Sequence, residues 1–155
     1  MLSYENLVSE FKRIGLQKND VVLVHSSFKS FGGVEGGPQA VIDSLLDVLG
    51  PEGTLITPRF NFDFSTYGTT WDIRNTPSHM GIISEFVRKD SRSFSVFHPI
   101  YSFCIIGKNA KKLAKHRYKG SYSKDSIFNQ LRVLDAKILF KIFFIFCNLT
   151  LPENE

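Results

Sequence analysis

Apolar residues at Leu7, Val8, Phe11 and Ile14 recur at helical spacing and predict an amphipathic helix, with Ser3 as its cap and Gly15 as its stop. The period changes at Val21 to Val24, where four consecutive apolar residues leave no polar face. Such a β-branched run is the signature of a strand covered on both sides. It breaks off into His25, Ser26 and Ser27. Beyond Gly36, Gly37 and Pro38, the stripe Val41, Ile42, Leu45, Leu46 and Leu49 predicts a second helix that ends at Gly50-Pro51. Leu55 to Thr57 reads as a short strand and Phe60 to Thr70 as an irregular aromatic and polar loop. Ile82, Ile83, Phe86 and Val87 stripe a helix, Phe103 to Ile106 reads as a strand, and Ala110 to His116 as a helix. The apolar tail from Ile138 to Leu151 reads as a buried strand or a poorly fitted end. Helices alternating with apolar strands predict an α/β fold, a single domain with a central sheet flanked by helices. No internal repeat, linker or low-complexity block interrupts it.

Composition narrows the function classes. A chain of 155 residues with 43% hydrophobic content can bury one core. The net charge of +4 is modest, its basic residues are scattered apart from Lys108 to Lys119, and no zinc-finger or RNA-motif spacing appears, which argues against nucleic acid as a partner. Lys111, Lys112, Lys115, His116 and Arg117 are expected on the wet side of a helix. Cys104 and Cys147 each sit in an apolar run, as buried thiols do in a reducing compartment, so the cytoplasm is the expected location. Glu5, Glu10, Lys12 and Arg13 interrupt any secretory h-region. The Ile138 to Leu151 stretch is broken by Lys141 and is shorter than the roughly 20 residues that span a bilayer, so no membrane span is expected. Neither a His-x-x-x-His nor a Cys-x-x-Cys pair is present, so no metal is expected.

The chemistry concentrates where the first strand ends. Open α/β sheets place ligands at such exits, and the N-terminus of a helix offers unpaired N–H groups to an anion. Ser26, Ser27 and Ser30 add hydroxyls, Lys29 adds a cation, and Gly36 and Gly37 lead into the helix, which together suggest a phosphate-bearing ligand. The alternative is that the glycines only turn the chain and the serines only cap. Asp63 and Tyr67 lie in the long loop. His25 is either a partner for Ser26 and Ser27 or a reactive group; His98, beside Pro99 and Tyr101, is a structural or a catalytic histidine; His79 reads as a helix-entry residue and His116 as solvated. A nucleophilic serine is a weak reading without a Gly-x-Ser-x-Gly elbow.

Several ordered blocks match one family. His25 to Gly32, Gly36 to Asp43 and Leu49 to Leu55 resemble the aminoglycoside 3-N-acetyltransferases, and the likeness continues through Trp71, Arg74, Thr76-Pro77, Met80-Gly81, Glu85-Phe86, His98-Pro99, Ser102-Phe103 and Lys137 to Leu139. The resemblance implies acetyl-CoA as co-substrate and direct attack of the 3-amino group of an aminoglycoside, or of a related amino sugar, on the thioester. It implies that Ser26, Ser27, Phe28, Lys29, Ser30, Gly36 and Gly37 contact CoA, that Asp63 and Tyr101 face the acceptor, and that His98 is the candidate catalytic group. Family members carry, after the strand near Leu139, an Asn- and Thr-containing segment leading to a His, thought to be the general base, and a Glu. Phe146 to Glu155 echo only the Asn and Thr. The expectation is therefore an acetyltransferase-like domain over residues 1–139, a divergent tail over 140–155, and a fold incomplete relative to the family's. An acyltransferase of sugar-nucleotide or cell-surface amino-sugar biosynthesis, and a truncated CoA-binding remnant without activity, are the alternatives.

Overall fold

The computed structural model describes residues 1–116, 118, 120–141 and 144–147. A six-stranded mixed sheet carries helices on both faces. In chain order the elements are α1 (Tyr4–Arg13), β1 (Val21–Val24), α2 (Gly37–Leu49), β2 (Thr54–Phe60), α3 (Phe62–Tyr67), α4 (Ile82–Lys89), β3 (Phe94–Val96), β4 (Tyr101–Gly107), α5 (Ala110–Lys115), α6 (Ile127–Val133), β5 (Lys137–Lys141) and β6 (Phe144–Cys147). The strands lie in the order β3-β4-β2-β1-β5-β6. β1 runs parallel to both β2 and β5, while β3, β4 and β6 are joined antiparallel.

The alternation of side chains along β1 explains its unbroken apolar sequence. Val22 and Val24 point into a core built with Leu7 and Phe11 of α1, Ile42, Leu45 and Leu49 of α2, and Val87 of α4. Val21 and Leu23 point the other way, into a core with Ala110 and Leu113 of α5 and Ile127 and Leu131 of α6. Each fully buried aliphatic side chain contributes roughly 1.5–3 kcal/mol, so both faces of a four-residue strand add to stability. α1 begins with a capping box, in which the Ser3 hydroxyl accepts from the Asn6 N–H and the Asn6 side chain accepts from the Ser3 N–H.

Five segments differ from expectation. β2 extends to Phe60 because its polar residues Thr54, Thr57 and Arg59 are buried with it. The stretch expected as loop begins with a helix, α3, whose cap Asn61 accepts from the Phe64 N–H. β3 is a three-residue edge strand beside β4, which itself runs past the expected ends to Tyr101 and Gly107. α6 follows Ser126, whose hydroxyl accepts from the Asn129 N–H. The exposed face of α5 carries Lys111, Lys112 and Lys115 as expected, whereas Arg117 lies outside the described residues. In the tail, β5 continues through Phe140 and Lys141 and pairs with β6. Its Phe143 and the segment from Asn148 to Glu155, including the echo of the family's Asn and Thr, lie outside the described residues. Cys104 is buried, and burial pushes its thiol pKa up.

Candidate functional site

Because β1 lies between two parallel neighbours, the carboxyl ends of β1, β2 and β5 converge on one edge of the sheet. The chain leaving β1 is fastened there: the His25 N–H and the Ser26 hydroxyl both donate to the Leu139 carbonyl, each at 3.1 Å. It then tightens into a single 3-10 turn, Phe28–Phe31, in which the Ser30 hydroxyl donates to the Ser27 carbonyl at 2.6 Å and Phe31 is buried. Ser27 and Lys29 keep their side chains in solvent.

A cavity of about 540 Å³ opens beside this turn, with His25 to Lys29 on one side and Met80, Gly81 and Ile82 on the other. The second wall is the N-terminus of α4. Gly81 caps it at φ +102°, in the region that favours glycine, and supplies no side-chain acceptor to the first-turn N–H groups. Gly36 and Gly37, expected to contact the ligand, lie outside this lining, and the Gly37 N–H is engaged by the Val34 carbonyl. Met80, Gly81 and Ile82 are the wall that sequence reading missed, although the Gly81 start ahead of an apolar stripe is a legible helix signal.

The loop that delivers Met80 and Gly81 is held by a buried arginine. Arg59, 1% exposed on β2, donates from Nη1 to the Ile73 carbonyl and the Ser95 hydroxyl and from Nη2 to the Thr76 carbonyl. Desolvation lowers its pKa. From the other side, Glu85 of α4 accepts from the Ser78 N–H at 2.9 Å and pairs with Arg88 at 2.7 Å. The Arg88 hydrogen bonds hold the Glu85 carboxyl well below its ordinary range, at about 2. Arg88 also donates to the Arg74 carbonyl. Residues 73–78 are therefore stitched to β2 and α4 together.

The residues expected on the acceptor side are placed by a chain of rings. His25 lies 6.5 Å from Phe60 and 5.3 Å from Phe140, and Phe60 meets Tyr101 edge-on at 5.2 Å. Tyr101 in turn lies 5.7 Å from His98. His98 is buried, with Nδ1 accepting from the N–H groups of Ile100 and Tyr101, and Nε2 lying 3.3 Å from the Ser121 hydroxyl. Two amide donors at Nδ1 leave the proton of the neutral ring on Nε2, and burial lowers its pKa. This arrangement braces the loop before β4. His98 lines a different cavity, of about 710 Å³, together with Phe97, Lys115 and His116. Asp63 on α3 faces His79, with Oδ2 and Nδ1 3.4 Å apart. Among the described residues, no cluster of three or more His, Cys, Asp or Glu could hold a metal ion, and no helix is long and apolar enough to cross a membrane.

Comparison with known proteins agrees with this layout. The family model described as aminoglycoside 3-N-acetyltransferase matches residues 23–140. The SPbeta prophage-derived aminoglycoside N(3')-acetyltransferase-like protein YokD of Bacillus subtilis (strain 168) is 31% identical over 87% of this chain and 58% of its own length. Aminoglycoside N(3)-acetyltransferase VII of Streptomyces paromomycinus is 28% identical over 86% of this chain and 53% of its own. The crystal structure of YokD matches with a TM-score of 0.80 at 30% identity, covering 88% of this chain and 63% of that one. The apoenzyme of aminoglycoside acetyltransferase AAC(3)-IVa matches with a TM-score of 0.79 at 26% identity, covering 89% and 54%. The chain spans just over half the length of the curated relatives it matches. A family match over most of the chain, with the same fold, leads to one conclusion: this chain belongs to the aminoglycoside 3-N-acetyltransferase family.

Proposed function

We propose that the cavity beside β1 is an acetyl-CoA site, and that the chain takes part in moving an acetyl group to the 3-amino group of an aminoglycoside or related amino sugar. The observation that carries this reading is the cavity's chemistry: exposed Ser27 and Lys29 facing the uncapped N-terminus of an eight-residue helix, an arrangement of donors and positive charge suited to the phosphates or amides of CoA. Ser26 and Phe28 line it beside them, and Ser30 holds the turn in shape. Gly36 and Gly37 set the direction of α2 and are assigned the outer part of the cofactor. The acceptor lies toward Asp63 and the Phe60–Tyr101 rings, and His98 fixes the loop that carries Tyr101. AAC(3)-IVa, a relative at 26% identity, has been solved in complex with apramycin, which supports an aminoglycoside as the acceptor. Residues 1–139 act as the acetyltransferase-like unit.

Transfer proceeds by direct attack: a base removes a proton from the acceptor ammonium, the amine adds to the thioester carbonyl, and CoA leaves as its thiolate. Calorimetric titration with acetyl-CoA, followed by thiol release with an aminoglycoside panel, tests this. Saturable binding with turnover supports the full reading. Binding without turnover reduces the role to CoA binding, and no binding by a folded sample overturns it.

A further inference from the structure

The second cavity, of about 710 Å³, lies on the other face of the sheet from the candidate cofactor site. Its wall residues Ala114 and Tyr118 pack against the core beneath α5 and α6, whereas Phe28 of the first cavity packs against the core beneath α1 and α2. Its lining divides into rings and cations. Phe97 is 51% exposed and is backed by Trp71, the two rings meeting in a T at 4.8 Å. Tyr118 spends its hydroxyl on the Leu113 carbonyl, so it brings a ring to the cavity. Lys115 and His116 stand exposed at the end of α5, with the His116 ring 4.6 Å from Tyr118. Among the described residues, no Asp or Glu lines this space and none pairs with Lys115. Asp72, next in the chain to the lining residue Ile73, is turned onto the Arg74 N–H and the Asn75 side chain.

We infer that this cavity is a second binding site, for a flat anionic ligand of the nucleoside monophosphate class. The base packs on the Phe97 face, as bases do on exposed aromatic rings, and the phosphate sits at Lys115 and His116, where a charge-assisted contact needs no competing carboxylate to be displaced. The volume lies in the range of small-molecule sites and leaves room for ring, sugar and phosphate together. An aminoglycoside is a polycation and is repelled by the same lysine, so the charge of the lining separates this ligand from the acceptor. The site stands apart from the acetyl-CoA reading, since it shares no lining residue with the cavity beside β1. The nucleotide end of CoA carries similar chemistry, and the experiment distinguishes it from a free nucleotide.

The test is calorimetric titration of the whole chain with adenosine monophosphate, alone and in the presence of acetyl-CoA. Saturable binding is expected, with adenosine and inorganic phosphate each binding more weakly by about tenfold or more. Lys115→Ala is expected to raise the dissociation constant by about tenfold or more, the scale of a lost charge-assisted contact, and Phe97→Ala by about fivefold or more, the scale of lost stacking. Both side chains are exposed, so the variants should fold. Lys29→Ala, in the first cavity, should leave the constant within about twofold, as should acetyl-CoA. No saturable binding by the folded chain up to millimolar nucleotide overturns the site. So does nucleotide affinity that survives both Lys115→Ala and Phe97→Ala, or that falls in Lys29→Ala instead. Displacement of the nucleotide by acetyl-CoA overturns the assignment to a free nucleotide. The titrations without acetyl-CoA do not depend on its binding, so this inference and the cofactor reading fail separately.

Discussion

The guanidinium carbon of Arg59 sits 5.1 Å from the centre of the Trp71 ring, while its terminal nitrogens donate to the carbonyls of Ile73 and Thr76. A charge buried this deeply is stabilised by carbonyl dipoles and a π face. Its removal leaves those carbonyls unpaired and the loop before α4 unanchored. Arg59→Met should therefore cost about 3–5 kcal/mol of stability, the scale seen when one partner of a buried charged network is deleted. Arg59→Lys, which keeps the charge but not the fork, should lose less. Denaturant unfolding of the two variants reads the difference.

Lys29 and Ser27 are solvent-exposed at the cavity, so their replacement should alter ligand binding and leave folding nearly untouched. Lys29→Ala and Ser27→Ala are each expected to weaken CoA binding by about 1–3 kcal/mol, as befits charge-assisted contacts. Melting temperatures without ligand should stay close to the native value. Unchanged CoA affinity in calorimetry would remove both residues from the site.

The Glu85–Arg88 pair predicts an acid-sensitive fold. The carboxyl's folded pKa, about 2, lies below the ordinary value of 4.5, so the unfolded chain takes up the proton first. The stabilisation is full above about pH 4.5 and is lost as pH falls toward 2. Glu85→Gln should flatten the pH dependence of stability across that window and cost about 1–3 kcal/mol at neutral pH. Urea midpoints measured across the acid range check both expectations.

His98 adds a second dependence at milder acidity. Burial lowers its folded pKa below the ordinary 6.5, so the unfolded state again binds the proton first. Its contribution is complete above about pH 6.5 and declines as the pH drops below it. His98→Asn, whose carbonyl can still accept from the Ile100 and Tyr101 amides, should keep the loop and reduce this sensitivity. A pH series of thermal unfolding curves would reveal it.

Periodicity exposed the parts of this protein whose burial is regular. Val21 to Val24 could be placed because both its faces are covered, and α2 because its apolar stripe is long and ends at Gly50. β3 escaped notice because an edge strand of three residues with an exposed Phe94 has no alternation to read. α6 escaped because only Ile127 and Leu131 are buried in it. Arg59 lies beyond the Leu55 to Thr57 strand that the sequence predicts, since a charge inside a strand contradicts local patterning, and its partners Ile73 and Thr76 lie far along the chain. The serines mark the exit of β1 in the sequence, and Ser26 and Ser27 line a cavity there, yet the opposite wall carries no such local mark. That wall depends on tertiary placement of α4, which no local pattern encodes.

The cavity walls come from distant stretches of sequence, and one of them hangs from Arg59 through the loop ahead of Met80. A molecule gripping both walls would act as a thermodynamic strut, since it binds only the arrangement in which the loop is closed down on β2. At a concentration one hundred times its dissociation constant, such a molecule would add about 2.7 kcal/mol to the folded state. The resistance of the 71–81 segment to proteolysis would then rise and fall with occupancy, making that loop a built-in reporter of whether the site is filled.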